Sequence, residues 1–204
     1  MMRRSPHGAG DAVGPRPYRR LEWLAGSRWG LLLLAAWGCA EAIAFPVIPD
    51  LALGLLVLVA PRRALVLFAA TILGGLAGTA ILYGATLADP AAVRTMLLAL
   101  PAIRPSMLVE ATALVASGDP FVLVLFGAGA PLKVYTWAWA AGAGTPAGLG
   151  LGVILNRLSR IGPLVLVTAV IGTVGAAFIR RHDRITLAVY AAFWVAVYAS
   201  YWGG

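Results

Sequence analysis

The sequence predicts an all-α polytopic membrane protein, with two re-entrant helical hairpins of opposite entry and about three full transmembrane helices in an inverted-repeat-like plan. Three observations carry that expectation. Of 204 residues, 61% are hydrophobic and only 12% charged, with a mean hydropathy of +0.87, whereas a soluble domain carries about 25% charged residues. Ala64 to Ala88 holds no charged residue over 25 positions, more than the roughly 20 needed to cross the hydrocarbon. Two other apolar segments, one in each half of the chain, are interrupted by prolines and ionisable residues. Hydrocarbon offers no partner to a charge or a freed backbone group, so such breaks must be buried in protein or line a wet cavity.

Residues 1–28 form a basic arm, with Arg3, Arg4, Arg16, Arg19, Arg20 and Arg28 against Asp11 and Glu22. Its Arg, Gly and Pro content predicts disorder on the cytoplasmic side. The apolar run that follows leads into Glu41 and prolines without a small-x-small cleavage site, so the arm is expected to stay attached. Residues 29–204 are expected to form a single membrane domain. Its first hairpin, about 29–60, pairs Trp29 to Val47 with Leu51 to Ala60 around a tip of Phe45-Pro46-Val47-Ile48-Pro49-Asp50. The first limb breaks too early and the second is too short for a clean crossing. Pro61-Arg62-Arg63 then returns the chain to the cytoplasm.

Ala64 to Ala88 spans, and its Gly74, Gly75 and Gly78 include small residues four apart, which permits close helix packing. Asp89 to Arg104, interrupted by Pro90 and Pro101, is expected at the external interface. Ser106 to Ser117 is a short apolar helix carrying Glu110. The second hairpin, about 121–142, is broken at Gly127, Gly129, Pro131 and Lys133. Ala147 to Leu155 is a short Gly-rich helix ending in Asn156-Arg157-Leu158-Ser159-Arg160. Gly162 to Ile179 and Ile185 to Trp202 complete the spans, with Arg180, Arg181 and Arg184 in a cytoplasmic loop and the C-terminus outside. The two hairpins then enter from opposite faces, and paired interrupted segments point to a binding site near the midplane.

Sixteen Lys+Arg against eight Asp+Glu give a net charge of +8. Most of the excess sits at the ends of apolar segments, which suits membrane orientation and anionic headgroups and argues against nucleic acid as a partner. Cys39 is the only cysteine, so neither an intrachain disulfide nor a thiolate metal site is available. His7 and His182 are not at ligand spacing, and neither a metal nor a cofactor is expected. Phosphate-binding glycine loops are missing, as is a Ser/His/Asp arrangement, so no catalytic residue and no enzyme are expected. Trp137, Trp139, Trp194, Tyr198, Tyr201 and Trp202 are predicted to form an interfacial belt.

The charged residues near the breaks are the candidates for function. Lys133, Arg157 and Arg160 are the substrate phosphate-binding candidates, since guanidinium grips phosphate through paired hydrogen bonds. Arg157 and Arg160 share a helix face; the competing reading makes them anchors that snorkel to headgroups. Lys133 lies in a low-charge segment, where a buried ion pair is the alternative to a substrate role. Glu41 and Asp50 are the proton-coupling or ion-pair candidates: a lipid phosphate competing for the same cation would link proton uptake to substrate movement. Asp50 could instead only cap the helix beginning at Leu51, and Glu41 could form a structural pair. Pro46, Pro49 and Pro131 set the hairpin breaks.

Glu41 followed by Phe45-Pro46-x-x-Pro49-Asp50, then Gly74 to Gly78 and Tyr83-Gly84, resembles the first half of the DedA family, also called the VTT or SNARE-associated Golgi-protein family. Pro131-x-Lys133, Ala141-Gly142 and Asn156-Arg157-x-x-Arg160 are similar to that family's second hairpin, the small-residue turn after it and the Arg-x-x-Arg end of the next helix. The resemblance covers roughly Trp29 to Ile179. It departs where Gly129 precedes Pro131, where Lys133 replaces a second Arg, and where Asp50 stands in place of Glu. The resemblance implies a multi-pass protein of the bacterial cytoplasmic (inner) membrane that translocates lipid. The implied substrate is undecaprenyl phosphate, an anionic polyprenyl-phosphate lipid, with proton coupling as the expected energy source. Phospholipid scrambling is one alternative and a non-transporting assembly or structural role another. Beyond the lipid and the membrane, a second copy of the chain is a candidate partner through homo-oligomerisation.

Overall fold

The computed structural model describes residues 17–101, 103–125, 130–142 and 144–202, and among them every regular element is helical. α1 (Pro17–Gly26) lies inside the stretch expected to be a disordered arm. It folds because its Tyr18 and Ala25 find cover: the Tyr18 hydroxyl donates to the Val59 carbonyl at 3.1 Å, and both residues are buried. The expected disorder of residues 1–16 falls outside the described residues.

Ser27 separates α1 from α2 (Arg28–Ile43), with extended backbone and its Oγ accepting from the Gly30 N–H at 3.3 Å, the usual way to satisfy a helix start. α2 stops as Pro46 approaches, because the residue before a proline is driven out of helical conformation and proline itself donates nothing. The N–H groups of Ala44 and Phe45 both close on the Ala40 carbonyl. After Pro49 the chain runs back as α3 (Asp50–Val59). The outer ends of the two limbs are neighbours, since Arg63 Nη1 donates to the Ala25 carbonyl at 2.9 Å and Tyr18 reaches Val59. The chain thus turns back at the 45–49 break, and the outer ends of α2 and α3 meet through α1.

A single 3₁₀ turn, Pro61–Arg63, leads into α4 (Ala64–Ala88), whose ends coincide with the uncharged run. Its 25 residues give a length of about 38 Å. α5 (Pro90–Leu98) and α6 (Pro105–Val115) follow. α7 (Val122–Leu125) and α8 (Leu132–Ala141) flank the second interruption, whose Gly127 and Gly129 lie outside the described residues. α9 (Pro146–Arg160), α10 (Gly162–Val174), α11 (Ala176–Arg181) and α12 (Asp183–Trp202) complete the chain.

Two boundaries differ from expectation. The helix predicted to end at Asn156–Arg160 continues: Ile161 keeps helical φ and ψ of −94° and −30°, and its N–H bonds the Arg157 carbonyl at 2.9 Å while its carbonyl receives Val165 at 3.0 Å. Pro163 costs the ladder one donor without stopping it. The run expected as one span, Gly162 to Ile179, is instead divided at Gly175, a weak helix former whose N–H closes on the Ile171 carbonyl. Pro61–Ala88 and Pro146–Val174, 28 and 29 residues long, are the two helices among the described residues that are long and apolar enough to cross a membrane by length and composition. Large apolar side chains on both face outward; Leu65 and Val174 are 80% and 84% exposed.

The interior divides into two apolar clusters. One gathers Leu82, Leu97, Leu108, Leu123, Trp139 and Val153; the other gathers Leu34, Leu53, Leu67, Phe68, Ile161 and Val165. α4 contributes Leu67 and Phe68 to one and Leu82 to the other, with Gly75 between. The continuous α9–α10 helix does the same with Val153 and Ile161, leaving Arg157 between. Gly75 and Arg157 thus lie side by side at a level between the two apolar clusters.

Candidate functional site

At that intermediate level the two halves of the chain exchange charged contacts. Glu41, near the end of α2, pairs with Arg157 of α9 through Oε2 and Nη2; both are buried, 6% and 5% exposed. Lys133, in the first turn of α8 and 4% exposed, donates from Nζ to the Phe45 carbonyl at 2.9 Å. Glu41 and Arg157 both act electrostatically on Lys133. The interrupted segment of each half therefore reaches the other, and the partners are 116 and 88 residues apart in sequence. Such a pair is costly to desolvate and costlier to break, because removing one member strands the other.

Two polar atoms of this cluster are buried with no hydrogen-bond partner among the described residues: Arg157 Nε and Asp50 Oδ1. Asp50 feels Arg157, then Glu41, then Arg160. It is the first residue of α3 and makes no side-chain cap bond; Pro49 holds the cap position. Arg160, one turn beyond Arg157, is exposed and not in the buried pair. The two arginines therefore share a helix but not an environment. Pro46 is exposed, Pro49 is buried, and Pro131 caps α8 in extended conformation with φ and ψ of −61° and 145°. Glu110 is exposed on α6.

The break at 45–49 frees backbone groups, and side chains from three helices take them up. Lys133 of α8 serves the Phe45 carbonyl, Trp37 Nε1 of α2 donates to the Val47 carbonyl at 2.9 Å, and the Tyr198 hydroxyl of α12 accepts from the Ile48 N–H at 3.0 Å. The Tyr190 hydroxyl donates to Leu51 at 2.7 Å. Burial corrects the expectation of an interfacial belt for Trp139 and Trp194, 2% and 6% exposed. Tyr198 clasps the 45–49 break, Trp194 lies beside Tyr190, Trp139 has its Nε1 on the Thr145 carbonyl, and Trp137 bonds the Pro90 carbonyl. The side chains of Tyr201 and Trp202 lie outside the described residues. Tyr190, Trp194 and Tyr198 recur every four residues, a one-face helical pattern that was available in the sequence.

Three glycines position the cluster. A Cβ at Gly74 or Gly78 would collide with the backbone of Ala35 or Cys39, so these residues let α4 lie directly on α2. Gly75 also touches the seam, since a Cβ at Gly38 of α2 would stand 3.2 Å from its backbone N, but its own Cβ direction points to Arg157 instead. No protein-family model matches this sequence, and searches of the curated proteins and of the solved structures returned no match.

Proposed function

We propose that this chain translocates a lipid with an anionic phosphate headgroup between membrane leaflets, with a polyprenyl phosphate such as undecaprenyl phosphate as the substrate that its resemblance to the DedA family favours. The observation that carries the reading is the buried cluster itself: opposite charges from the two halves of the chain, set between apolar layers, with a guanidinium N–H and a carboxylate oxygen unpaired among the described residues. Lipid tails can remain in hydrocarbon while the headgroup passes, so what the protein must supply is a polar station at depth. Arg157 and Lys133 are the cations within it, and Arg160 lies at its rim. Glu41 occupies Arg157 when the headgroup is away. A phosphate arriving at Arg157 displaces a carboxylate, which then favours a proton, and that exchange would tie movement to proton flow.

The arginines Arg19, Arg20, Arg28, Arg62, Arg180, Arg181 and Arg184 are all exposed, and α1, the 3₁₀ turn and the α11–α12 junction gather at one end through the Tyr18, Arg63 and Arg180 interactions. Positive charge concentrated there supports a cytoplasmic side for that end in a bacterial inner membrane. Reconstitution in vesicles carrying a labelled lipid in one leaflet tests the proposal. Undecaprenyl phosphate should redistribute chemically unchanged and faster than phosphatidylethanolamine or phosphatidylglycerol. Release of phosphate would instead mark an enzyme, and binding without redistribution an assembly factor.

A further inference from the structure

We infer that the phosphoryl group is received on the Nε–Nη2 edge of Arg157, and that Gly75 is the residue that keeps this edge open; the inference rests on the translocation reading above. Guanidinium recognition of a carboxylate or phosphate ordinarily engages two parallel N–H groups. Here Glu41 takes Nη2 through one oxygen, while Nε is buried without a partner among the described residues, in a residue only 5% exposed. An idle buried donor beside a charge is unfavourable, so the site is incomplete as it stands.

α4 passes this edge with a glycine. A Cβ at Gly75 would stand 3.5 Å from Nε and 3.5 Å from Nη2, and 3.8 Å from the guanidinium carbon, and these are the three nearest atoms. The equal distances place it on the Nε–Nη2 side of the group, tilted out of the guanidinium plane toward one face. They are also ordinary contacts, so a methyl group fits there without collision. Gly74 next to it is different in kind, since its Cβ would strike the Ala35 backbone. The α2 backbone therefore excludes a side chain at Gly74 and Gly78, whereas at Gly75, whose backbone N also meets α2 at Gly38, the Cβ direction is free of backbone and faces only Arg157. The space beside Arg157 suits an oxyanion that gives one oxygen to Nε and sets a second against Glu41 for Nη2. That selects a phosphoryl headgroup over a neutral alcohol.

Binding of labelled undecaprenyl phosphate to the purified full-length protein in detergent, with undecaprenol as the uncharged comparison, tests this directly. Gly75→Ala should keep the wild-type Tm and weaken phosphate-lipid binding by about tenfold, the cost of one charge-assisted hydrogen bond. Gly84→Ala, at an exposed position of α4 with nothing within 4 Å, should bind as wild type. Arg157→Lys, which keeps charge but removes the Nε–Nη2 edge, should lose at least as much as Gly75→Ala. Wild-type affinity in Gly75→Ala with weakened Arg157→Lys would overturn the inference while leaving the phosphate site standing; Glu41 turning both oxygens onto Arg157 would give that result. Failure of Gly75→Ala to fold would also overturn it, because the room beside the guanidinium would not exist. If the wild-type protein binds undecaprenyl phosphate no better than undecaprenol, the translocation reading itself fails.

Discussion

On α4, Gly74 and Gly78 face α2 while Gly75 faces Arg157, and the two faces answer to different demands. The first is a seam in which helix backbones touch, so any side chain must push the helices apart. The second is a slot next to a charge, where a small side chain is sterically acceptable. Glycine in one place serves packing and in the other leaves space at a polar group. The same division runs through the molecule: apolar layers give cohesion, and the level between them holds groups whose burial is costly unless they have work to do.

Four substitutions sharpen that contrast. Arg157→Ala should have the largest effect, about 3–5 kcal/mol of stability from stranding Glu41 in the interior, read by thermal unfolding in detergent together with loss of lipid movement. Gly74→Ala comes next, about 1–3 kcal/mol as the α2–α4 seam is forced open, with lipid movement falling only in proportion to folded protein. Tyr198→Phe should cost about 1 kcal/mol, because the Ile48 N–H loses its acceptor, and should raise amide exchange at residues 45–50 while α4 stays protected. Gly75→Ala is expected to leave stability unchanged or raise it by up to about 1 kcal/mol through helix propensity. A drop in stability for Gly75→Ala like that for Gly74→Ala would erase the distinction between the two faces.

Part of this architecture was legible in the sequence, for identifiable reasons. α4 appears with the ends of its uncharged run, and the interruption before it follows from Pro46 and Pro49. Glu41, Asp50 and Lys133 stood out because ionisable residues in apolar segments are rare, and Arg157 stood out with Arg160 at a helix end; that Glu41 meets Arg157 and not Arg160 was not readable. Other features depend on partners far away in sequence. The helix runs through Arg157 rather than ending there because Glu41, from the other half, neutralises a charge that would otherwise mark a boundary. Lys133 binds the Phe45 carbonyl, and a backbone acceptor leaves no trace in residue identity. Tyr190, Trp194 and Tyr198 were visible as aromatics, but which surface they covered required the position of the 45–49 break. Gly75 looked equivalent to Gly74 until the direction of each was known.

The central claim is that the Glu41–Arg157 pair is kept for moving a headgroup and not for holding the fold. Replacing both charges together, Glu41→Leu with Arg157→Met, separates the two roles, since a buried pair exchanged for hydrophobic side chains of similar size is often neutral or stabilising. In vesicles loaded with labelled undecaprenyl phosphate, the double variant should recover the thermal stability lost in Arg157→Ala and still fail to redistribute the lipid. Redistribution by the double variant at the wild-type rate would contradict the claim.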